Sequence, residues 1–345
     1  MEPSHIPNRQ PGDLVWLIPD FLSRELALAV REAFFNQLGE YPHFIVSNLH
    51  RSKLDLNRLI DVAAQGNAEA EQAYYEYHGF INHALEVVKQ DYGKGMFVDI
   101  HRHGHSIQRL ELGYLVTMDQ LRLSDAELNS GAYSDSSSIH SLVNTSGMSL
   151  SELLRGPSSL GTRFESKGIP TIPSSTQPAP LPSESIFTGY GATWLYGSRN
   201  GQSSIDAVQF ESHYTGVLES QQMIDDYAEV ISQVVTEFVR DFYGFDLTST
   251  AIDDELIPEQ GPSISFYPNP VRNSASIKIS NMMPGESLLE VYDILGRRVD
   301  VLEIPNQGSP SIQIEWRPNA LTAGSYFLVL NSDSRIHLQP MVLVR

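Results

Sequence analysis

The hydrophobic periodicity of the chain changes near residue 248, and this change constrains the fold more than any other feature. Before it, long segments with apolar residues at helical spacing alternate with short apolar runs typical of strands. After it, short alternating runs are separated by Pro, Gly and Asn, as in antiparallel sheets. The pattern predicts an α/β domain over 1–247, an acidic linker over 248–263 and a small all-β sandwich over 264–345.

The first domain is predicted to be a sheet with helices packed on its faces. A Pro- and Ser-rich segment, 168–185, is expected to form an irregular surface loop. The predicted helices are 20–39, 68–92 and about 220–243, and the predicted strands are 44–46, 96–100 and 205–210.

Charge and cysteine content narrow the classes of function. The formal net charge is −19, so the phosphate backbone would repel the chain and nucleic-acid binding is disfavoured. The chain has no cysteine, which excludes disulfides, thiolate nucleophiles and cysteine-ligated metals. No apolar run reaches the roughly 18 residues of a membrane span. The first residues lack the pattern of a signal peptide, so the protein is expected to be cytosolic or to begin upstream of Met1.

Three sequence blocks follow one another in the predicted all-β domain: 266–270 (FYPNP), 291–299 (VYDILGRRV) and 321–327 (LTAGSYF). The prolines of the first block favour an extended entry into a strand, and Asp and Gly in the second supply a turn. Together the blocks resemble the type A C-terminal sorting domain of type IX secretion. The resemblance implies export to the medium or cell surface, contact with the type IX secretion machinery, and a signal peptide upstream. An ordinary β-sandwich binding module is the alternative.

A second motif, NLHRSKLDLNR over 48–58, ends in Asn57 and Arg58. A planar guanidinium with an amide beside it is suited to holding a substrate carboxylate, because it offers two parallel hydrogen bonds. The alternative is a helix cap followed by a surface cation.

Histidine is concentrated at the end of the predicted strand 96–100, where His101, His103 and His105 fall within five residues. Ligand sites of α/β proteins lie at such strand ends, and a neutral imidazole binds Zn²⁺ well. Asp99 is placed to support a metal-binding histidine. A single histidine here would be read as structural, but three together favour a site.

The third motif, Gln209-Phe210-Glu211, lies at the end of the predicted strand 205–210. A carboxylate near a metal-bound water can take its proton and pass it to a leaving amine. An isolated glutamate at a strand end is otherwise a solvated surface group.

In their order along the chain, these motifs of the first domain resemble those of N-formylglutamate amidohydrolases, and the Asp-Leu-Asn-Arg core also resembles zinc carboxypeptidases. The resemblance covers nearly all of 1–247 and implies a three-layer, mixed-sheet, metallohydrolase-like α/β domain. It implies that His101 and Glu2 bind zinc, that Glu211 is the general base, and that Arg51 holds the substrate or stabilises an oxyanion.

The same resemblance assigns substrate contacts to Asn57 and Arg58, and His103 and His105 are expected to line the site and contact the substrate because they lie close to His101 in the sequence. Two departures from the family pattern accompany it. Tyr196 stands where related sequences carry a histidine, and the family's first strand, with a further zinc-binding histidine, is expected upstream of Met1.

The sequence thus predicts an exported, zinc-dependent hydrolase of an amide bond in a carboxylate-bearing substrate, such as an N-acyl amino acid, a γ-glutamyl compound or a peptide. The alternative is a non-catalytic surface-displayed protein on a degenerate or truncated hydrolase scaffold, suggested by the two departures above. The expected location is the cell surface or the medium.

Overall fold

A computed structural model describes residues 6–11, 17–130 and 132–245 of the first part of the chain, and 263–267, 271–280, 287–293, 297–304, 311–318, 321–332 and 335–343 of the second. The chain divides into two compact units, Met1–Thr250 and Ala251–Arg345. Of the predicted acidic linker 248–263, only Ser263 lies within the described residues.

The first unit has three long helices, and most of its shorter helices lie in the connections between its strands. The helices are α1 (Ser23–Leu38), α2 (Ile60–Ala63), α3 (Ala68–Tyr92), α4 (Met118–Leu121), α5 (Asp125–Ser130), α6 (Tyr133–Ser136), α7 (His140–Ser146), α8 (Leu150–Arg155), α9 (Leu160–Ser166), α10 (Ala192–Tyr196) and α11 (Gln221–Tyr243).

The first unit contains one mixed sheet, built from β1 (Gly95–Arg102), β2 (Leu110–Gly113), β3 (Thr171–Ile172) and β4 (Ile205–Ser212). The strand order is β1-β4-β2-β3. β1 is parallel to β4, β4 is antiparallel to β2, and β2 is parallel to β3. The predicted strands 96–100 and 205–210 are confirmed, and each extends by one or two residues further.

Helices cover both faces of this sheet, so the first unit has three layers. Met96, Val98 and Ile100 of β1 pack into the main core, which contains buried residues of α1 and α11. Phe97 points to the other face and packs with residues of α3 and α10. Because strand side chains alternate between faces, Asp99 and His101 share the face of Phe97.

The long helices follow the predicted bounds because their ends are capped. The Asn67 side chain accepts a hydrogen bond from Ala70 N at the start of α3, and Gly93 ends that helix with a positive φ. The Ser220 side chain caps α11 in the same way. α1 begins at Ser23, three residues later than predicted, which leaves Asp20 outside the helix.

The strand predicted over 44–46 is wrong. This segment is irregular, and none of its backbone groups makes a backbone hydrogen bond within the described part of the chain. A cavity of about 770 Å³ is lined both by this segment and by β1, whose outer edge has no partner strand among the described residues. The segment has local β propensity but makes no backbone hydrogen bonds with the free edge of β1, and β propensity alone does not form a strand.

The second unit is the predicted all-β sandwich. Its strands are β5 (Ser263–Tyr267), β6 (Ala275–Ser280), β7 (Ser287–Asp293), β8 (Arg298–Leu302), β9 (Ser311–Trp316), β10 (Gly324–Ser332) and β11 (Arg335–Leu343). They form two antiparallel sheets, β11-β10-β7-β8 and β5-β6-β9. One hydrophobic core contains buried residues of both sheets, among them Ile277 and Leu328. None of the helices in the described residues is long and apolar enough to cross a membrane.

Candidate active site

Three polar side chains form a row across the sheet of the first unit. His101 of β1 is in register with Glu211 of β4, and Glu211 is in register with Glu111 of β2. Residues opposite one another on neighbouring strands point to the same face, so the three side chains are neighbours. All three are buried. We call these residues the polar row; it lies at the carboxyl ends of β1 and β4.

Asp20 adds a carboxylate beside the polar row. Its Oδ2 lies 2.6 Å from His101 Nδ1, and His101 Nε2 lies 3.1 Å from Asp99 Oδ2. Burial alone would lower the pKa of His101, but the charge of Asp99 and the hydrogen bond with Asp20 hold it well above its usual value. Asp20 was not predicted as a site residue, because its position after a proline is typical of the start of a helix.

Arg51 is engaged by Asp20 in this structure. Its Nη1 and Nη2 donate to Asp20 Oδ1 and Oδ2 at 2.8 and 3.1 Å, and its Nε lies 3.8 Å from Asp55 Oδ1. A substrate would therefore have to displace Asp20 to use these donors. The predicted contact of Arg51 with substrate stays a prediction, while the structure shows that Arg51 positions Asp20.

Glu211 is held by one amide that also binds the backbone of a neighbouring segment. Gln209 Nε2 donates to Glu211 Oε1 at 2.6 Å, and Gln209 Oε1 accepts from Tyr190 N at 2.8 Å. Burial raises the pKa of Glu211 to about 7, with smaller effects from the charges of His101, Asp20 and Glu111. A carboxyl group with this pKa can both accept and release a proton near neutral pH.

Asn57 and Arg58 lie beside the segment that contains Tyr190. A Cβ on Gly191 would lie 1.3 Å from Asn57 Oδ1, so only glycine permits this approach. The Arg58 guanidinium lies 5.0 Å from the centre of the Tyr190 ring, and its Nη1 donates to Asn57 O. Among the described residues Arg58 has no acidic partner. The helix-cap alternative for this pair is wrong, because Leu59 is the N-cap of α2.

His103 and His105 differ in what their ring nitrogens contact. His103 Nδ1 accepts from His105 N at 3.1 Å, and its Nε2 lies 2.8 Å from Arg109 O, so that nitrogen carries the proton. His105 Nδ1 lies 2.8 Å from Glu111 Oε1, and its ring stacks on Phe187. Both nitrogens of His103 are therefore used within the protein, whereas His105 sits at the edge of the polar row.

The donor atoms around His101 are of the type that zinc prefers, but their number is small. Asp99 Oδ2 is buried and lies 3.1 Å from His101 Nε2, and a carboxylate oxygen keeps a second lone pair that a cation can use. Within the described residues, the group of three ligand atoms that converge is His103, His105 and Glu111, and His103 has no free lone pair for a metal. Glu2, the other predicted ligand, lies outside the described residues.

One member of the polar row, His101, lines the cavity described above. Asp99, Asp20 and Asn57 line it as well, together with apolar residues of β1 and α3. One cavity thus brings together the predicted metal-binding histidine and the predicted carboxylate-binding amide. Such a cavity, mostly apolar with a few convergent polar groups, is typical of small-molecule sites.

Comparison with known proteins identifies the second unit. The family described as the secretion system C-terminal sorting domain matches residues 265–344. This confirms the predicted type IX sorting tail over a β-sandwich binding module of another kind. The protein is therefore secreted or displayed on the cell surface, and its tail interacts with the type IX secretion machinery.

Solved structures are similar to limited parts of the chain. Latent PorU from Porphyromonas gingivalis is 29% identical over 24% of this chain and 9% of that chain, with a TM-score of 0.20. PorZ, a surface component of the type IX secretion system of the same bacterium, is 18% identical over 28% and 13% of the two chains, with a TM-score of 0.19. An endo-β-1,4-mannanase from Thermotoga petrophila is 12% identical over 48% and 29%, with a TM-score of 0.21. No curated protein matches the chain.

Proposed function

We propose that the first unit is a zinc-dependent hydrolase that cleaves an amide bond in a substrate with a free carboxylate. The observation that carries the proposal is the polar row, in which buried Glu211 has a pKa of about 7 beside His101. A general base works best when its pKa lies near the working pH. In metal-assisted hydrolysis a histidine binds the metal and a neighbouring carboxylate takes a proton from the attacking water. The neighbouring positions of His101 and Glu211 suit that reaction class.

In the proposed reaction Glu211 takes a proton from the water whose oxygen bonds to the amide carbonyl carbon. The same carboxyl group then gives that proton to the amide nitrogen as the C–N bond breaks. The products are a carboxylic acid and an amine, the proton of the acid passes to the amine to give a carboxylate and an ammonium ion, and Glu211 returns to its ionised form. Zinc, when bound, would supply a more acidic water and polarise the carbonyl. Of the described residues, His101 and Asp99 would hold it, once His101 had lost its proton and released the carboxylate contact of one ring nitrogen.

Recognition of the substrate carboxylate is assigned to Arg58 and Asn57. Arg58 donates to Asn57 O through one nitrogen and has no acidic partner in the described chain, so its other donors are free for a ligand. Asn57 lines the cavity that His101 also lines. A bidentate hydrogen-bonded ion pair between a guanidinium and a carboxylate fixes the orientation of a substrate as well as binding it.

The test is hydrolysis of a panel by the full gene product, with zinc and with a chelator. N-acetyl amino acids, γ-glutamyl compounds, dipeptides and N-formylglutamate cover the proposed class, and release of free amine is measured. We expect turnover of at least one member that the chelator abolishes. Preferred turnover of N-formylglutamate would restrict the substrate to that compound, and no turnover of any member with stoichiometric zinc would support the non-catalytic scaffold.

A further inference from the structure

A short segment, residues 187–191, lies against the polar row and is fixed by its backbone; we call it the strap. Phe187 N donates to Glu111 Oε2 at 2.8 Å, and Tyr190 N donates to Gln209 Oε1 at 2.8 Å. A Cβ on Gly113 of β2 would lie 2.4 Å from the backbone nitrogen of Gly189, so the strap packs directly on that strand. Hydrogen bonds thereby join the strap directly to Glu111, and through Gln209 to Glu211.

Two aromatic side chains of the strap remain exposed although its backbone is fixed. Phe187 is 45% exposed and Tyr190 is 53% exposed. Each ring lies on a polar residue of the site: Phe187 stacks on His105 with centroids 4.9 Å apart, and Tyr190 lies under the Arg58 guanidinium. Rings held in place in this way offer flat apolar surface beside the proposed carboxylate site at little entropic cost.

The charges around the strap favour a substrate with a single carboxylate. Among the described residues that contact the strap, the cation without an acidic partner is Arg58, and the donors of Arg51 are directed at Asp20. The neighbouring acidic groups are Asp20, Asp99, Glu111 and Glu211. A second carboxylate on the substrate would meet these groups, and within the described chain no second unpaired guanidinium contacts the strap, which disfavours acidic side chains.

We propose that Phe187 and Tyr190 determine specificity, and that the substrate is an N-acylated aromatic amino acid or a peptide ending in one. The inference rests on the proposed function only for the use of the site as a substrate site. The substrate carboxylate pairs with Arg58, and the aromatic side chain next to it packs against the rings of the strap. An aromatic contact of this kind changes affinity by roughly 2- to 10-fold.

The experiment is a calorimetric or NMR titration of the full chain in the Glu211→Gln background, which measures binding without turnover. The ligands are N-acetyl-L-phenylalanine, N-acetyl-L-leucine, N-acetyl-L-glutamate and an N-acetylated sugar acid. We expect N-acetyl-L-phenylalanine to bind several-fold more tightly than the others. Tyr190→Ala and Phe187→Ala should each lose roughly 2- to 10-fold of that affinity, and Tyr190→Phe should keep it.

Tyr92→Ala is the matched control, because Tyr92 is also an exposed tyrosine in contact with one aromatic residue, Phe245, next to the opposite end of β1. It should leave all affinities unchanged. Equal binding of the phenylalanine and leucine compounds, or preferred binding of the sugar acid, would overturn the proposal. Hydrolysis is measured separately. Turnover without a preference for aromatic substrates would contradict only the proposed specificity. Preferred binding of the aromatic ligand without any turnover would contradict only the proposed hydrolase activity.

Discussion

Asp20 joins side chains from distant parts of the chain into one network. Its carboxylate accepts two hydrogen bonds from Arg51 and is hydrogen-bonded to His101. Arg51 also lies near Asp55. Arg9 contacts Asp55 and donates to the Arg51 backbone oxygen, so the loop that contains Arg51 is held from both sides. The position of His101 therefore depends on residues of distant segments that do not contact it directly.

Replacing Asp20 with Asn is expected to destabilise the first unit. The change leaves Arg51 as a partly buried cation without its bidentate partner, at a cost of about 1–3 kcal/mol. Urea unfolding of the variant should show this loss. Asp119→Asn is the control, because Asp119 pairs with Arg122 but is 94% exposed and should cost almost nothing. Equal effects of the two substitutions would show that the Asp20 network does not stabilise the fold.

Asp206 is a buried carboxyl group away from the polar row. It accepts hydrogen bonds from Ser198, Tyr243 and the Leu142 backbone, yet burial raises its pKa to about 6. In the folded protein Asp206 therefore stays neutral up to a higher pH than in the unfolded chain. At low pH this group carries no penalty, because it is protonated in the folded and unfolded states alike.

As the pH rises from about 4 to about 6, the unfolded state ionises Asp206 before the folded state does, so stability is lost. The loss is complete above about pH 6 and amounts to at most about 3 kcal/mol. Asp206→Asn removes this titration, so the stability difference between the two proteins should change across that range. Urea unfolding at several pH values measures it. A difference that is constant from pH 4 to 7 would contradict the assignment.

At the scale of the elements, periodicity and caps were enough to locate the long helices and the two long strands of the first unit. α3 and α11 carry both an apolar face and a polar N-cap residue, and β1 and β4 are long enough to show a pattern. β2 and β3 were not predicted because they have four and two residues. Short strands are specified by their neighbours more than by their own sequence.

The candidate site was predictable to the same extent. His101 and Glu211 follow strands that the sequence shows, and the structure brings them into register. Glu111 was missed because its place beside Glu211 depends on the antiparallel pairing of β2. The role of Asp20 was not predicted, because Asp20 and His101 are 81 residues apart in the chain and a local sequence pattern carries no information about such a contact.

The strap provides a prediction at the scale of an element. Gly191→Ala places a Cβ 1.3 Å from Asn57 Oδ1 in addition to adopting a φ of +55°. We expect a loss of about 2–4 kcal/mol, because overpacking adds to backbone strain. Gly216→Ala is the control: it has a φ of +87° and nothing within 4 Å of the added Cβ. Chemical unfolding of both variants separates the effect of the steric clash with Asn57 from the effect of backbone strain. Equal losses of unfolding free energy in the two variants would contradict the packing of Asn57 on the strap.

At the scale of the whole molecule, a sorting tail is joined to an α/β unit that has its own core. The tail is expected to act independently of the unit it follows. A reporter with a periplasmic export signal, fused to residues 248–345, should be released or displayed by a bacterium that has a type IX system. The reporter without the tail should remain in the periplasm. Periplasmic retention of both, with intact fusion protein, would contradict that expectation.

The central claim is that Glu211 is the general base of an amide hydrolase, and its substitution tests that claim most directly. Glu211→Gln keeps the size and the hydrogen bond with Gln209 but cannot take a proton, so kcat should fall by about 10²- to 10⁴-fold. Glu219→Gln is the control, because Glu219 is an exposed side chain in the connection between β4 and α11, and this variant should keep full activity. Zinc content and unfolding midpoint are measured for both. A Glu211→Gln protein that folds, binds zinc equally and keeps the full rate would contradict the account.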